Sequence, residues 1–139
     1  MKGIEEIYYH NSCIAIIFRH NLSVEGVQFF TDAKNPFQIG LHHRTKGTKL
    51  TPHIHRLDYP LIITSIQEIL FVLAGKILVT LYTKDGEIIN KKTLKAGDSV
   101  LLMDQAHGIN FLTDARIFEV KQGPFPGIAT AKTFVTAKS

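Results

Sequence analysis

The chain has 139 residues, 45% of them apolar, which suits one domain with one core and excludes a disordered or collagen-like chain. Its net charge of +4 is spread without a long basic run, which argues against a nucleic-acid footprint. Acids in Met1-Lys2-Gly3-Ile4-Glu5-Glu6 stand where a signal peptide is apolar, and Gly75-Lys76 splits the longest apolar region, Ile69 to Tyr82, well short of the about 20 residues of a membrane helix. The expectation is a soluble, cytoplasmic protein with no membrane and no nucleic-acid partner.

In chain order, short β-type runs separated by turn residues dominate. They are Cys13 to Arg19, Val27 to Thr31, Phe37 to Arg44, Leu50 to Arg56, Gln67 to Ala74, Lys76 to Thr83, Glu87 to Leu94, Ser99 to Asp104, Gly108 to Thr113 and Arg116 to Gln122. The lone thiol, Cys13, lies in the first run, cannot form an internal disulfide and reads as a small buried apolar group. His20 to Gln28 has room for one helical turn. Asp85-Gly86 suits a tight hairpin, because glycine takes a positive φ without a Cβ clash, and Ala96-Gly97-Asp98 marks a second turn. Gly123-Pro124-Phe125-Pro126-Gly127 ends the regular structure, since neither proline donates to a ladder. Ten short strands predict an all-β sandwich or barrel.

The run Gln67 to Ala74 is apolar on both faces, with Glu68, Leu70, Val72 and Ala74 on one and Ile69, Phe71 and Leu73 on the other. A strand on a solvated sheet alternates instead, so this one calls for outer cover. Either Cys13 to Arg19 folds over it, or a second copy does. The second alternative predicts a homodimer.

Three stretches carry chemistry. In Thr51-Pro52-His53-Ile54-His55, two histidines two apart on a strand point the same way, a metal-ligand arrangement if they face the inside of a narrow barrel. In Glu68-Ile69-Leu70-Phe71, an acid sits among apolar residues; a metal ion or a salt bridge to Lys or Arg would offset its desolvation. His107 follows an apolar strand at a junction before Gly108, where it is either a turn residue or a third imidazole. Asp58 is a rival carboxylate ligand. His42 and His43 point to opposite faces of their run, so one of them faces inward, while His10 and His20 read as surface or loop residues. Arg44, Lys46, Lys49 and Arg56 flank the histidines, either as solvated charge or as a basic rim for an anionic ligand.

In this order and spacing, Gly47, His53, His55, Glu68 and Gly75, followed by Gly97 and His107, resemble the two motifs of the cupin superfamily. The likeness covers about Gly47 to Asn110. Gln28-Phe29-Phe30-Thr31 and Glu119-Val120-Lys121-Gln122-Gly123-Pro124 look like a small-cupin subgroup from bacterial surface-polysaccharide gene clusters. Two departures stand out. Twelve residues separate His55 from Glu68 instead of three or four, which makes Arg56 to Gln67 an inserted rim or lid. Met103 and Gln105 replace the usual Pro and Gly before His107, and that motif is one residue short.

The resemblance implies a double-stranded β-helix, or jelly-roll barrel, in a single domain spanning 1–139. Its core would be about 37–122, with N-terminal strands in 1–36 and a C-terminal tail 123–139 packed on it. It also implies one divalent transition metal ion (Zn, Fe, Mn or Ni) on His53, His55, Glu68 and His107. The small-molecule ligand implied is a polar metabolite: a sugar, sugar nucleotide or keto acid of bacterial polysaccharide metabolism. An enzyme of the isomerase or epimerase type is the first reading, with Glu119 or Lys121 as acid/base groups if they face inward. A non-catalytic sugar- or metal-binding module and a metal-dependent dioxygenase are the alternatives. The apolar Leu57, Tyr59, Leu61, Ile62 and Ile63 predict an insert packed on the barrel or on a partner.

Overall fold

The computed structural model describes residues 1–138; Ser139, the last residue of the tail, lies outside the described residues. The chain forms two compact units: Met1–Leu22 together with the chain from Ser65 onward, and Ser23–Thr64. Among the described residues there are ten strands and one four-residue helix, so the all-β expectation holds.

The first unit contains eight strands: β1 (Ile4–Tyr9), β2 (Ser12–Phe18), β5 (Glu68–Ala74), β6 (Lys76–Tyr82), β7 (Ile88–Lys95), β8 (Ser99–Leu102), β9 (Ala106–Phe111) and β10 (Arg116–Lys121). One antiparallel sheet has the order β1-β2-β8-β5-β10, and another the order β7-β6-β9. Both sheets contribute to one core. Ile14, Ile17, Leu70, Val72, Val100 and Leu102 come from the first, and Ile77, Val79, Leu81 and Leu94 from the second. On β5, β6 and β8 the period-2 spacing gives the strand one core face; on β2, Ile14 sits at a bulge beside Ala15.

The second unit has β3 (Gly26–Phe29) paired antiparallel with β4 (Gly40–His43), Gly26 opposite His43 and Phe29 opposite Gly40. Two expectations fail. Leu50 to Arg56 forms no strand, because none of its backbone groups joins a ladder. His20 to Gln28 forms no helical turn; its end enters β3 instead. Leu57, Tyr59, Leu61, Ile62 and Ile63 are exposed within the chain. Two elements went unforeseen: β1, and the helix α1 (Ile128–Ala131), which buries no residue.

The Asp85-Gly86 hairpin forms as expected between β6 and β7. The Thr83 amide donates to the Glu87 carbonyl at 2.8 Å, and the Gly86 amide to the Thr83 carbonyl at 3.0 Å. Gly86 has φ 89° and is buried under the C-terminal tail, whose Lys138 amide donates to the Gly86 carbonyl at 2.8 Å. A Cβ there would meet the Thr136 carbonyl oxygen. Gly86→Ala therefore combines a strained φ with a steric clash and is expected to cost about 1–2 kcal/mol, read from the urea midpoint.

Candidate metal centre and its surroundings

Glu68 begins β5 on the same face as Leu70 and Val72, which are core residues. His107 sits in β9 opposite Leu81, also a core residue, so it shares the core-side face of its sheet. Glu68 and His107 thus reach toward each other from the two sheets of the first unit. His107 Nε2 lies 3.3 Å from Glu68 Oε2, with the side chains 32% and 16% exposed. The sequence placed His107 just before its strand; the structure places it inside the strand, and that gives it a defined direction.

Two more polar groups share this face. In the β10–β5 register Lys121 stands opposite Glu68, and Glu119 opposite Leu70. Both therefore face the core side, the condition set for an acid/base role. Lys121 Nζ donates to Glu119 Oε1 at 2.7 Å, and that hydrogen bond raises the Lys121 ammonium above its ordinary value. Lys121 is consequently a fixed cation at neutral pH rather than a base. The hydrogen bond from His107 lowers the Glu68 carboxyl below its ordinary value; burial opposes this, while Glu119 and Lys121 assist. Glu68 is held as a carboxylate, the form that binds metal ions. Its partner is the imidazole, so a direct Lys or Arg salt bridge is not what compensates its burial.

His53 and His55 belong to the second unit, in irregular chain. Their rings still lie side by side, with centroids 5.0 Å apart and planes at 69°. Both are exposed. His53 Nδ1 is 2.8 Å from the Thr51 carbonyl, which can only accept, so Nδ1 carries the proton and a neutral ring keeps its lone pair on Nε2. A backbone carbonyl that fixes the tautomer in this way is the usual support behind a metal-binding imidazole. Asp58, the rival ligand, pairs with Arg56 at 2.9 Å on the surface. His42 and His43 are both exposed on β4, and His43 Nδ1 donates to the Val24 carbonyl at 3.0 Å. Each unit taken alone, among the described residues, gathers no group of three or more His, Cys, Asp or Glu side chains placed to share an ion.

Elsewhere, burial and then the Glu6 charge raise the Cys13 thiol above its ordinary value, which disfavours a reactive thiolate. Sequence reasoning missed an ion network at the other end of the first unit. Arg19 Nη2 lies 2.6 Å from Glu5 and Arg19 Nη1 3.1 Å from Asp98, while Lys92 Nζ lies 2.8 Å from Glu5. Only Asp98, acidic beside Gly97 in a turn, hinted at it. No helix among the described residues is long and apolar enough to cross a membrane. Comparison with family models, with curated proteins and with solved structures returned no match.

Proposed function

We propose that the chain is a cupin-type protein that holds one divalent transition metal ion on His53, His55, Glu68 and His107 and acts on a small polar metabolite. The observation that carries this reading is the approach of Glu68 and His107 to 3.3 Å, although 39 positions separate them and they lie on different sheets. The donor chemistry fits an ion: three imidazoles and one carboxylate held ionised, with the His53 tautomer already set. The motif order Gly47, His53, His55, Glu68, Gly75, Gly97, His107 supports the jelly-roll form of the all-β fold.

When bound, such an ion polarises a substrate oxygen or activates a bound water. The chain's own residues supply the rest. Glu119 is the carboxylate available to take a proton, and the Lys121 ammonium holds it in place and offers positive charge to an anionic substrate group. This arrangement favours the enzyme over a non-catalytic binding module, since a carboxylate able to take a proton stands on the same face as the ligand carboxylate. A sugar, sugar nucleotide or keto acid carries the hydroxyl and carbonyl oxygens the site would bind.

The test is metal content per chain in purified protein and its variants. His55→Ala and Glu68→Gln are each expected to lose most of the bound metal while keeping the β circular-dichroism signal. Full metal content in both variants would overturn the ligand assignment. Metal bound as expected, with no turnover of any tested sugar substrate by the parent chain, would favour the binding module.

A further inference from the structure

A second chemically distinct place lies within the first unit, where the end of β2 meets β6 and the β7–β8 turn. Arg19, His20, Asn21, Lys76, Lys95 and Asp98 line an open cavity of about 470 Å³ there, a volume within the range of small-molecule sites. Its floor is rigid. Asp98 is 1% exposed and accepts from the His20 amide at 2.8 Å, the Lys95 amide at 3.1 Å and Arg19 Nη1 at 3.1 Å. Arg19 also donates to the Thr93 carbonyl at 2.8 Å and to Glu5 at 2.6 Å. Gly97, with φ 87°, lets the turn approach closely; a Cβ there would lie 2.7 Å from His20 Cβ.

The charges on this floor are already matched. Asp98 and Glu5 are both engaged by Arg19, and Glu5 also by Lys92. Lys76 and Lys95 are different. They stand directly opposite each other in the β6–β7 register, and neither forms an ion pair among the described residues. Like charges facing each other across a strand pair are destabilising. Both residues are exposed, so their side chains can turn toward a bound anion.

We propose that this cavity binds a phosphoryl-type oxyanion carried by a small molecule, with Lys76 and Lys95 as its charge partners. Two surplus ammonium groups match a dianionic group; a lone carboxylate would leave one of them unbalanced. Lysine is a point-charge binder of phosphate. The backbone around Asp98 fixes the wall, and the Asn21 amide adds a neutral donor. The inference does not depend on the metal assignment, because no residue is shared between the two places.

The experiment titrates inorganic pyrophosphate into the full chain at constant ionic strength, followed by calorimetry. Lys76→Gln and Lys95→Gln are each expected to weaken binding about tenfold, the scale of one charged hydrogen bond. Lys91→Gln, on β7 outside the cavity, is expected to leave affinity unchanged. Without ligand, the Lys76→Gln/Lys95→Gln double variant is expected to melt no lower than the parent, since it removes a repulsion. Equal weakening by Lys91→Gln would show general charge attraction and overturn the site, as would unaltered affinity in the double variant. Metal content of these variants stays that of the parent, so failure here is separable from failure of the metal centre.

Discussion

Asp98→Ala is expected to lower the unfolding free energy by about 3 kcal/mol, measured as a shift of the urea midpoint at neutral pH. The carboxylate is 1% exposed and accepts from two backbone amides, of His20 and Lys95. Removing it leaves those part-buried donors without their acceptor, and each unsatisfied donor shielded from water costs about 1–3 kcal/mol. Arg19 keeps Glu5, 2.6 Å away, so its charge is not stranded and the cost stays at the lower end of that for a broken buried pair. Asp98→Asn is milder, because the amide oxygen still accepts one of the backbone bonds.

The same carboxylate gives stability a pH dependence. Burial pushes the Asp98 carboxyl up, but the backbone hydrogen bonds from His20 and Lys95 and the side chains of Arg19 and His20 outweigh it, so the carboxyl lies below its ordinary value. Glu5 is lowered as well, chiefly by its hydrogen bond to Lys92. On acidification the unfolded chain therefore takes up these protons first. The contribution is complete above the ordinary carboxylate range of about 4 and is lost as pH falls through the lower folded values. In Asp98→Asn the acid limb of the stability profile is expected to be shallower than in the parent.

Many strand positions were legible because periodicity and turn chemistry agree. Leu70, Val72, Ile77, Val79 and Leu81 alternate on their strands, and Gly75, Gly86 and Gly97 supply positive φ at the breaks. The strand β1 was not legible. Its Glu5 and Glu6 read only as acids where a signal peptide is apolar, and what compensates Glu5 is Arg19 and Lys92, the latter 87 positions away. The reverse error occurred at Leu50 to Arg56, where a strand-like composition met no partner strand. Side-chain alternation promises a face only once a ladder exists.

The site shows the same division. The direction of Glu68 followed from its parity with Leu70 and Val72, and that of Lys121 from a register with Glu68 that only the fold reveals. His107 looked like a junction residue because Gly108 follows it, yet β9 begins at Ala106 and carries the histidine on its core side. The strand expected under His53 and His55 is absent. The two rings adjoin in irregular chain, where the His53 ring also bonds the Thr51 carbonyl.

At micromolar concentration the chain is expected to sediment as a homodimer, and Phe71→Lys/Phe118→Lys as a monomer with an unchanged β signal. The outer face of the five-stranded sheet carries two cross-strand rows. One runs Phe18, Ser99, Phe71, Phe118, and the other Ile16, Leu101, Ile69, Val120. Ile16, Phe18 and Leu101 are buried, whereas Phe71, Leu73, Phe118 and Val120 are 39%, 46%, 60% and 41% exposed. The account in which Cys13 to Arg19 folds over this stripe fails on the strand order: β2 lies in the same sheet, paired with β8, and cannot lie across β5. The bare end also borders β10, an edge strand, where exposed apolar side chains invite association. Fully burying a phenylalanine or leucine is worth about 1.5–3 kcal/mol, so two lysines in place of Phe71 and Phe118 remove enough to shift the dissociation constant about a hundredfold or more. A parent chain that sediments at monomer mass would show that the stripe is left to water, and the dimer would be abandoned.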